Sequence, residues 1–200
     1  TAQPPIEFIS DIANDTIIYD PKDPSPTVGG SRFDPFNSLL PVGPQDIKNE
    51  VESRNDVIIY TTKNRKKAMT INGNVKVLLY VSSDRLDTDF AVRLCSVYPD
   101  GSSVILSQGI RRMRFRNSYE KEELMTKNSI YLVEIEIEPL CIVLPADNEF
   151  RIIVSSSDYP MFDINLNNGG ELYKPGDTLI ATNLVYRSAV HASKVLIPYV

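Results

Sequence analysis

Short runs in which apolar residues recur at every second position follow one another along the chain, and this alternation restricts the fold more than any other feature. In residues 75–81 the odd positions are all apolar, as in a strand with one buried face. In residues 131–138 apolar positions alternate with three glutamates and one leucine, which indicates a half-buried strand with an acidic solvent face. Further strands are predicted at residues 57–62, 90–98, 104–107, 110–116, 150–155, 178–186 and 194–199.

Helical periodicity is scarce in this sequence. Two candidates, residues 44–52 and residues 119–125, are each at most three turns long. Residues 99–101 are Pro-Asp-Gly, a turn signal, because proline presets φ and glycine tolerates a positive φ. About nine short strands at regular spacing, with so little helix, predict an all-β fold of the antiparallel jelly-roll β-sandwich type.

The N-terminal part of the chain differs in composition from the rest. Eight of the 14 prolines lie within the first 44 residues. Since proline restricts both its own backbone and that of the residue before it, we expect residues 1–44 to run extended over the surface of the sandwich. The length of 200 residues fits one domain that spans residues 1–200. Because the chain begins with Thr1, we expect it to be a piece of a longer protein.

The composition excludes most common kinds of catalytic site. His191 is the only histidine, so no site that needs two histidines can form within this chain. The nearest match to the G-x-S-x-G nucleophile motif, residues 29–33, lacks the closing glycine and a following helix. Cys95 and Cys141 lie in apolar, strand-like sequence and are interpreted as buried thiols, with a disulfide as the alternative. We therefore expect no catalytic residue, cofactor or metal ion in this chain.

Charge and hydropathy limit the partners. The formal net charge is −5, and the two dense basic stretches, residues 63–67 and 111–116, are interpreted as a solvated loop and one face of a strand. Nucleic-acid binding is therefore not expected. A membrane contact is not expected either, because no apolar run reaches the 18 or more residues of a spanning helix. The compartment is left open, with the cytoplasm favoured.

Three aspartates close together form the one candidate cation site. Asp84, Asp87 and Asp89 lie within six residues, a density that suits a hard cation such as calcium. The alternative is a turn at the end of a strand, in which Asp87 and Asp89 accept hydrogen bonds from backbone N–H groups. We favour the turn, because the segment has neither the turn glycine nor the distant glutamate of a calcium loop.

Eight segments resemble, in order, one protein family: the C-terminal non-catalytic domain of the X-prolyl dipeptidyl aminopeptidases, which cocaine esterases and α-amino-acid ester hydrolases also carry. No single segment is specific for this family, but the occurrence of all of them in this order over residues 19–198 is specific. Met161, Asn168 and Ala192 depart from the residues common in that family. The segments are YDP (19–21), PSPTVGG (24–30), GPQD (43–46), RNDVIIYTT (54–62), DTDFAVRLCSVYPDG (87–101), GIRRMRFR (109–116), SSSDYPMFDINLN (155–167) and HASKVLIP (191–198).

The resemblance implies a galactose-binding-like jelly roll that is a domain of an enzyme and carries no active site itself. In the family, a separate α/β-hydrolase domain of the same chain carries the Ser–His–Asp triad, and the jelly roll packs on it and helps to shape the site for acyl ester or X-prolyl substrates. An apolar patch is expected where the two domains meet. The motif positions imply ten structural or interdomain candidates: Arg54, Asp56, Asp87, Asp89, Phe90, Arg111, Arg114, Asn165, Asn167 and His191.

A second hypothesis is a stand-alone β-sandwich that binds glycans or protein partners. Glycan-binding sites commonly use exposed aromatic rings, and this chain has ten tyrosines but no tryptophan. Assembly into a homo-oligomer is left open under both hypotheses.

Overall fold

Antiparallel strands dominate the computed structural model, which describes residues 6–7, 13–31, 41–62 and 66–200. The strands of these residues are β1 (Ile6–Glu7), β2 (Asn14–Tyr19), β3 (Ile58–Thr61), β4 (Met69–Gly73), β5 (Lys76–Ser83), β6 (Asp89–Val97), β7 (Ser103–Arg112), β8 (Tyr131–Glu136), β9 (Leu140–Leu144), β10 (Glu149–Ser155), β11 (Ala181–Tyr186) and β12 (Lys194–Leu196).

The first sheet has the order β1-β12-β5-β11-β2, and β8 pairs with β5 as well. β11 and β12 follow one another along one edge of β5, while β8 covers the other edge from Lys76 to Val81. The alternation predicted for residues 75–81 is confirmed, because Val77, Leu79 and Val81 are fully buried and the residues between them are half-buried. These side chains supply one face of the core.

The second sheet has the order β3-β10-β6-β7, so that β10 lies in its interior as the sequence predicts. Every residue of β6 is buried. Phe90 and Leu94 of β6 and Ile152 of β10 belong to the same apolar cluster as the inward residues of β5. Burial of apolar side chains between two sheets drives this packing. The predicted all-β sandwich is therefore confirmed.

β4 and β9 form a separate two-stranded sheet beside the sandwich, with Ile71 opposite Ile142. The last residues of the chain run along the other side of β4. The Asn72 N–H donates to the Pro198 carbonyl oxygen (3.0 Å), and the Val200 N–H donates to the Thr70 carbonyl oxygen (3.1 Å). β4 is thus paired on both of its edges.

Helix is limited, in the part of the chain that the structure describes, to a π-helical turn at Lys48–Glu52 and a 3₁₀ turn at Met113–Phe115. Neither is long or apolar enough to cross a membrane. The helix predicted at residues 44–52 is thus reduced to a single turn. The prediction of a short helical turn at residues 119–125 is wrong. There, the N–H groups of Glu123 and Met125 donate to the carbonyl oxygens of Arg114 and Leu86 instead of closing helical turns.

The strand predicted at residues 110–116 ends earlier than expected, within the arginine-rich stretch 111–116. β7 runs from Ser103 to Arg112, with one shift in its register against β6 opposite Leu94 and Cys95. It ends there because the next N–H, that of Met113, donates to the Thr88 carbonyl oxygen at 2.9 Å. The arginines therefore do not line one face of a strand. The four side chains have different partners, and that of Arg116 donates to the Met113 carbonyl oxygen at 2.9 Å.

The proline-rich segment contributes two strands, β1 and β2, that its composition does not predict. β2 lies within residues 1–44, pairs with β11, and buries Ile17 and Tyr19 completely. Much of the remaining segment, residues 32–40 included, lies outside the described residues, as do residues 63–65 of the first basic stretch.

The two cysteines occupy different environments, and neither forms a disulfide. Cys95 is buried in β6, as expected. The expected burial of Cys141 is wrong, because this residue faces outward from β9.

A thiol titration should distinguish the two cysteines. Burial raises the pKa of the Cys95 thiol to about 12. At pH 8 only about one such thiol in ten thousand is ionised, and the thiolate is the reactive form. We expect a disulfide reagent to modify one thiol of the folded chain quickly, namely Cys141, and both thiols after denaturation. Rapid reaction of two thiols in the folded chain would contradict this burial.

Candidate functional site

A layer of buried ion pairs lies at the end of the sandwich where β6 begins. Asp87 and Asp89, on the DTDF segment, are both buried. Arg114 donates to Asp87 twice, from its backbone N–H to Oδ1 (2.9 Å) and from Nε to Oδ2 (2.7 Å). Arg112 donates to both oxygens of Asp89, from Nε (3.0 Å) and from Nη2 (3.0 Å). Each carboxylate thus holds one arginine.

Asn165 joins the two ion pairs into one network. Its Nδ2 donates to Asp87 Oδ2 at 2.9 Å and to Asp89 Oδ1 at 2.7 Å. Its Oδ1 accepts the backbone N–H of Asn167 (2.9 Å), and Asn167 Nδ2 donates to the Leu179 carbonyl oxygen (2.7 Å). The long loop before β11 is therefore fastened to the start of β6.

Arg114 also connects this network to two surface loops. Its Nη1 donates to the Gly170 carbonyl oxygen at 2.9 Å and to Glu122 Oε2 at 3.0 Å. The Arg114 side chain is only 3% exposed, whereas that of Glu122 is 49% exposed. The arginine therefore depends mainly on its buried partner, Asp87.

The predicted capping role belongs to Asp87 and not to Asp89. Asp87 accepts the backbone N–H of Arg114, while the partners of Asp89 are side chains. Asp84 lies apart and accepts the backbone N–H of Thr182 (2.8 Å). Arginine and amide donors occupy the carboxylates that calcium would need. Among the described residues, no group of three or more His, Cys, Asp or Glu side chains is arranged to hold a metal ion.

Arg54 and Asp56 form an ion pair separate from this network, just before β3. Arg54 Nε donates to Asp56 Oδ1 at 2.7 Å, and its Nη2 donates to Oδ2 at 3.0 Å. The same Nη2 reaches the carbonyl oxygen of Asp23 at 2.7 Å. This pair therefore ties the turn after β2 to the start of β3.

One more ion pair, which sequence reasoning missed, is the most deeply buried of those that the described residues form. Arg93 and Asp158 have side-chain exposures of 0% and 1%, and Arg93 Nη2 lies 3.0 Å from Asp158 Oδ1. Arg93 Nη1 donates to Ser155 Oγ (2.9 Å), and Thr27 Oγ1 donates to Asp158 Oδ1 (2.7 Å). The available signal was a lone charge, Arg93, within the apolar run of β6.

The remaining candidates lie outside these networks. Phe90 is a fully buried core residue. The Arg111 guanidinium lies 4.5 Å from the centroid of the Tyr119 ring. His191 lies between β11 and β12, where its ring centroid is 5.1 Å from that of Tyr80. The structure thus brings together Asp87, Asp89, Arg114, Asn165 and Asn167, and it adds Arg112, which the sequence did not single out.

Loops next to the ion-pair layer carry exposed apolar side chains. Tyr159 and Tyr173 line a cleft of about 380 Å³, and Arg112 and Arg114 line the same cleft. A side chain at Gly169, next to the cleft, would touch Leu86 and Leu124. We call five exposed residues the loop-end surface: Leu86, Leu124, Tyr159, Tyr173 and Leu179.

The sequence of the chain matches a known family and a curated relative. The model of the X-Pro dipeptidyl-peptidase C-terminal non-catalytic domain matches residues 15–196. The cocaine esterase of Rhodococcus sp. (strain MB1 Bresler) is 34% identical over 188 residues, which are 93% of this chain and 32% of the esterase. The chain therefore spans about a third of the length of this curated relative.

Solved structures share the fold over nearly the whole chain. An aminopeptidase from the marine sediment archaeon Thaumarchaeota archaeon has a TM-score of 0.83 at 21% identity, covering 96% of this chain and 34% of that protein. An alpha-amino acid ester hydrolase has a TM-score of 0.81 at 24% identity, covering 99% and 34%. A CocE/NonD family hydrolase from Staphylococcus aureus has a TM-score of 0.67 at 15% identity, covering 100% and 36%. With a family model that matches residues 15–196 and a fold shared with these structures, the chain belongs to the X-Pro dipeptidyl-peptidase C-terminal non-catalytic domain family.

Proposed function

We propose that residues 1–200 act as one non-catalytic C-terminal β-sandwich domain of a serine hydrolase for acyl esters or X-prolyl peptides. The domain packs on the α/β-hydrolase domain of the same polypeptide and helps to enclose its substrate site. One observation carries this proposal: the chain matches a non-catalytic domain family, while the relatives with hydrolase names are about three times as long.

The geometry supports a docking role for the loop-end surface. Apolar side chains exposed together are typical of surfaces that contact another domain. Tyr173 is 83% exposed and has a φ of 59°, a left-handed conformation that is rare for bulky residues and commonly found at functional contacts. The networks of Asp87 and Asp89 hold the loop before β11 through hydrogen bonds to the carbonyl oxygens of Asp163, Gly170 and Leu179, which supports the part of the surface that this loop carries.

Hydrolysis assays on the 200-residue chain test the non-catalytic role. We expect p-nitrophenyl acetate, p-nitrophenyl butyrate and an X-Pro-p-nitroanilide to be cleaved no faster than in buffer. The same chain after thermal denaturation controls for unspecific esterolysis by its side chains. Turnover that exceeds this control and is abolished by a serine-directed inhibitor would contradict the proposal.

The tyrosine-lined cleft favours one alternative, a stand-alone module that binds glycans. Calorimetric titration of the chain with a panel of oligosaccharides tests it. Saturable heat that Tyr173→Ser abolishes would favour the alternative, provided that Tyr119→Ser, which alters a tyrosine stacked on Arg111, leaves the heat unchanged. The proposed function predicts no saturable heat for any member of the panel.

A further inference from the structure

A cavity of about 610 Å³ is bordered by β4 and β12, and this volume is typical of small-molecule sites. Phe150 and Val195, which belong to the main apolar cluster and are at most 2% exposed, form its inner wall. Met69 and Ile197 are half-buried, pack against the same cluster and line the cavity as well. The cavity therefore reaches from the surface to the apolar core, and a molecule that enters it contacts core side chains.

Two lysines stand at the opening of this cavity. Lys66 and Lys67 are exposed and line it, and no acidic side chain does so among the residues that the structure describes. Lys66 Nζ lies 3.8 Å from Asp147 Oδ1, but these side chains are 82% and 63% exposed. Such an exposed pair contributes little stability and leaves Lys66 able to meet another anion. We call this space, with its apolar walls and two lysines, the lysine-rimmed cavity.

Two other clefts of the described surface lack this division between an apolar wall and a rim of one charge. The cleft beside the loop-end surface is lined by Arg112 together with Asp163. A cleft at the turn after β6 is lined by Lys48 together with Asp147 and Glu149. An alkyl chain gains free energy by leaving water for apolar surroundings. Of the three, the lysine-rimmed cavity is therefore the one that suits a molecule with an apolar body and an anionic head.

We propose that the lysine-rimmed cavity binds a medium-chain monocarboxylate, with the alkyl chain against Phe150 and Val195 and the carboxylate beside Lys66 and Lys67. Burial of the chain supplies the affinity, in proportion to the apolar area removed from water. The carboxylate keeps its contact with water at the opening, which avoids the cost of burying a charge, and the two ammonium groups attract it. None of these residues belongs to the loop-end surface, so the proposal is independent of the proposed function.

Calorimetric titration of the 200-residue chain tests both parts of this ligand. Butyrate, hexanoate and octanoate are titrated below the concentrations at which they form micelles. We expect saturable binding of octanoate, and an affinity that rises by up to about fourfold for each CH₂ group added along the series. Octylammonium has the same chain with a positive head and should bind about tenfold more weakly than octanoate. No saturable heat with octanoate, or an equal affinity for octylammonium, would overturn the proposal.

A variant that fills the cavity tests the location of the site. Ala68 lines the cavity and is exposed, so Ala68→Trp occupies the space without disturbing buried packing, and we expect it to lose most of the octanoate binding. Ala13→Trp is the matched control, because Ala13 is also exposed and precedes β2, at the opposite end of the first sheet from β12. Circular dichroism checks that both variants are folded. Octanoate binding that folded Ala68→Trp retains, or that both variants lose equally, is the result that rejects this site.

Charge reversal tests the role of the two lysines. Lys66→Glu/Lys67→Glu makes the rim negative, and we expect it to weaken octanoate binding about tenfold and to strengthen octylammonium binding. Lys121→Glu/Lys127→Glu makes the same change in net charge at exposed loop positions before β8 and should leave both affinities unchanged. Equal weakening of octanoate binding by the two variants would show a response to the net charge of the chain and not to the rim. That result, or unchanged affinities in Lys66→Glu/Lys67→Glu, would contradict the proposal.

Discussion

Replacing Asp158 with alanine is expected to lower the free energy of unfolding by about 3–5 kcal/mol, as breaking a buried ion pair from one side does. Arg93 has no exposed side-chain surface in the folded chain. Without its carboxylate partner, the guanidinium keeps only neutral acceptors, such as Ser155 Oγ and the Pro26 carbonyl oxygen. Urea unfolding followed by circular dichroism measures the loss.

A double variant separates the loss of the pair from the cost of an unpaired charge. The double variant Arg93→Met/Asp158→Leu removes both charges and fills the site with apolar side chains of similar size. It should recover most of the stability, because the main cost in the single variant is the stranded guanidinium. A loss of less than about 1 kcal/mol in Asp158→Ala, the value of an exposed pair, would contradict the conclusion that Arg93 depends on this buried carboxylate.

Asp87→Ala is expected to destabilise the chain by a similar amount, about 3–5 kcal/mol. The substitution removes the carboxylate that holds both the backbone N–H and the Nε of Arg114, and it takes one of two acceptors from Asn165. The loops that carry the loop-end surface lose their anchor at the same time. Thermal unfolding in the same buffer as the native chain gives the change.

Glu122→Ala is the matched control, since Glu122 pairs with the same arginine. This carboxylate is half exposed, so its removal should cost at most about 1 kcal/mol. Comparable losses in Asp87→Ala and Glu122→Ala would contradict the conclusion that Arg114 depends on its buried partner.

Alternation in the sequence was sufficient for the strands that cross the middle of the sandwich. The pattern of residues 75–81 marks one buried face of β5, and the apolar character of residues 150–155 places β10 inside its sheet. β2 was not predicted because the sequence on both sides of it is rich in proline. The end of β7 was not predicted because it depends on the hydrogen bond that the Met113 N–H donates to the Thr88 carbonyl oxygen. These two residues are distant in sequence.

The candidate site was predicted only in part, for the same physical reason. The spacing of Asp87 and Asp89 drew attention to both residues, but their partners come from the end of β7 and from the loop around Asn165. Which arginine meets which carboxylate depends on how these segments pack. The local sequence does not determine that packing. Arg93 was missed because its partner, Asp158, is 65 residues away.

The coding sequence immediately upstream of the Thr1 codon tests the central claim most directly. We expect an open reading frame that continues upstream, encodes alternating strands and helices, and contains a G-x-S-x-G motif between a strand and a helix. The aspartate and histidine of the triad should follow that motif before Thr1. A stop codon just upstream, or an unrelated domain there, would contradict the assignment of this chain to a serine hydrolase.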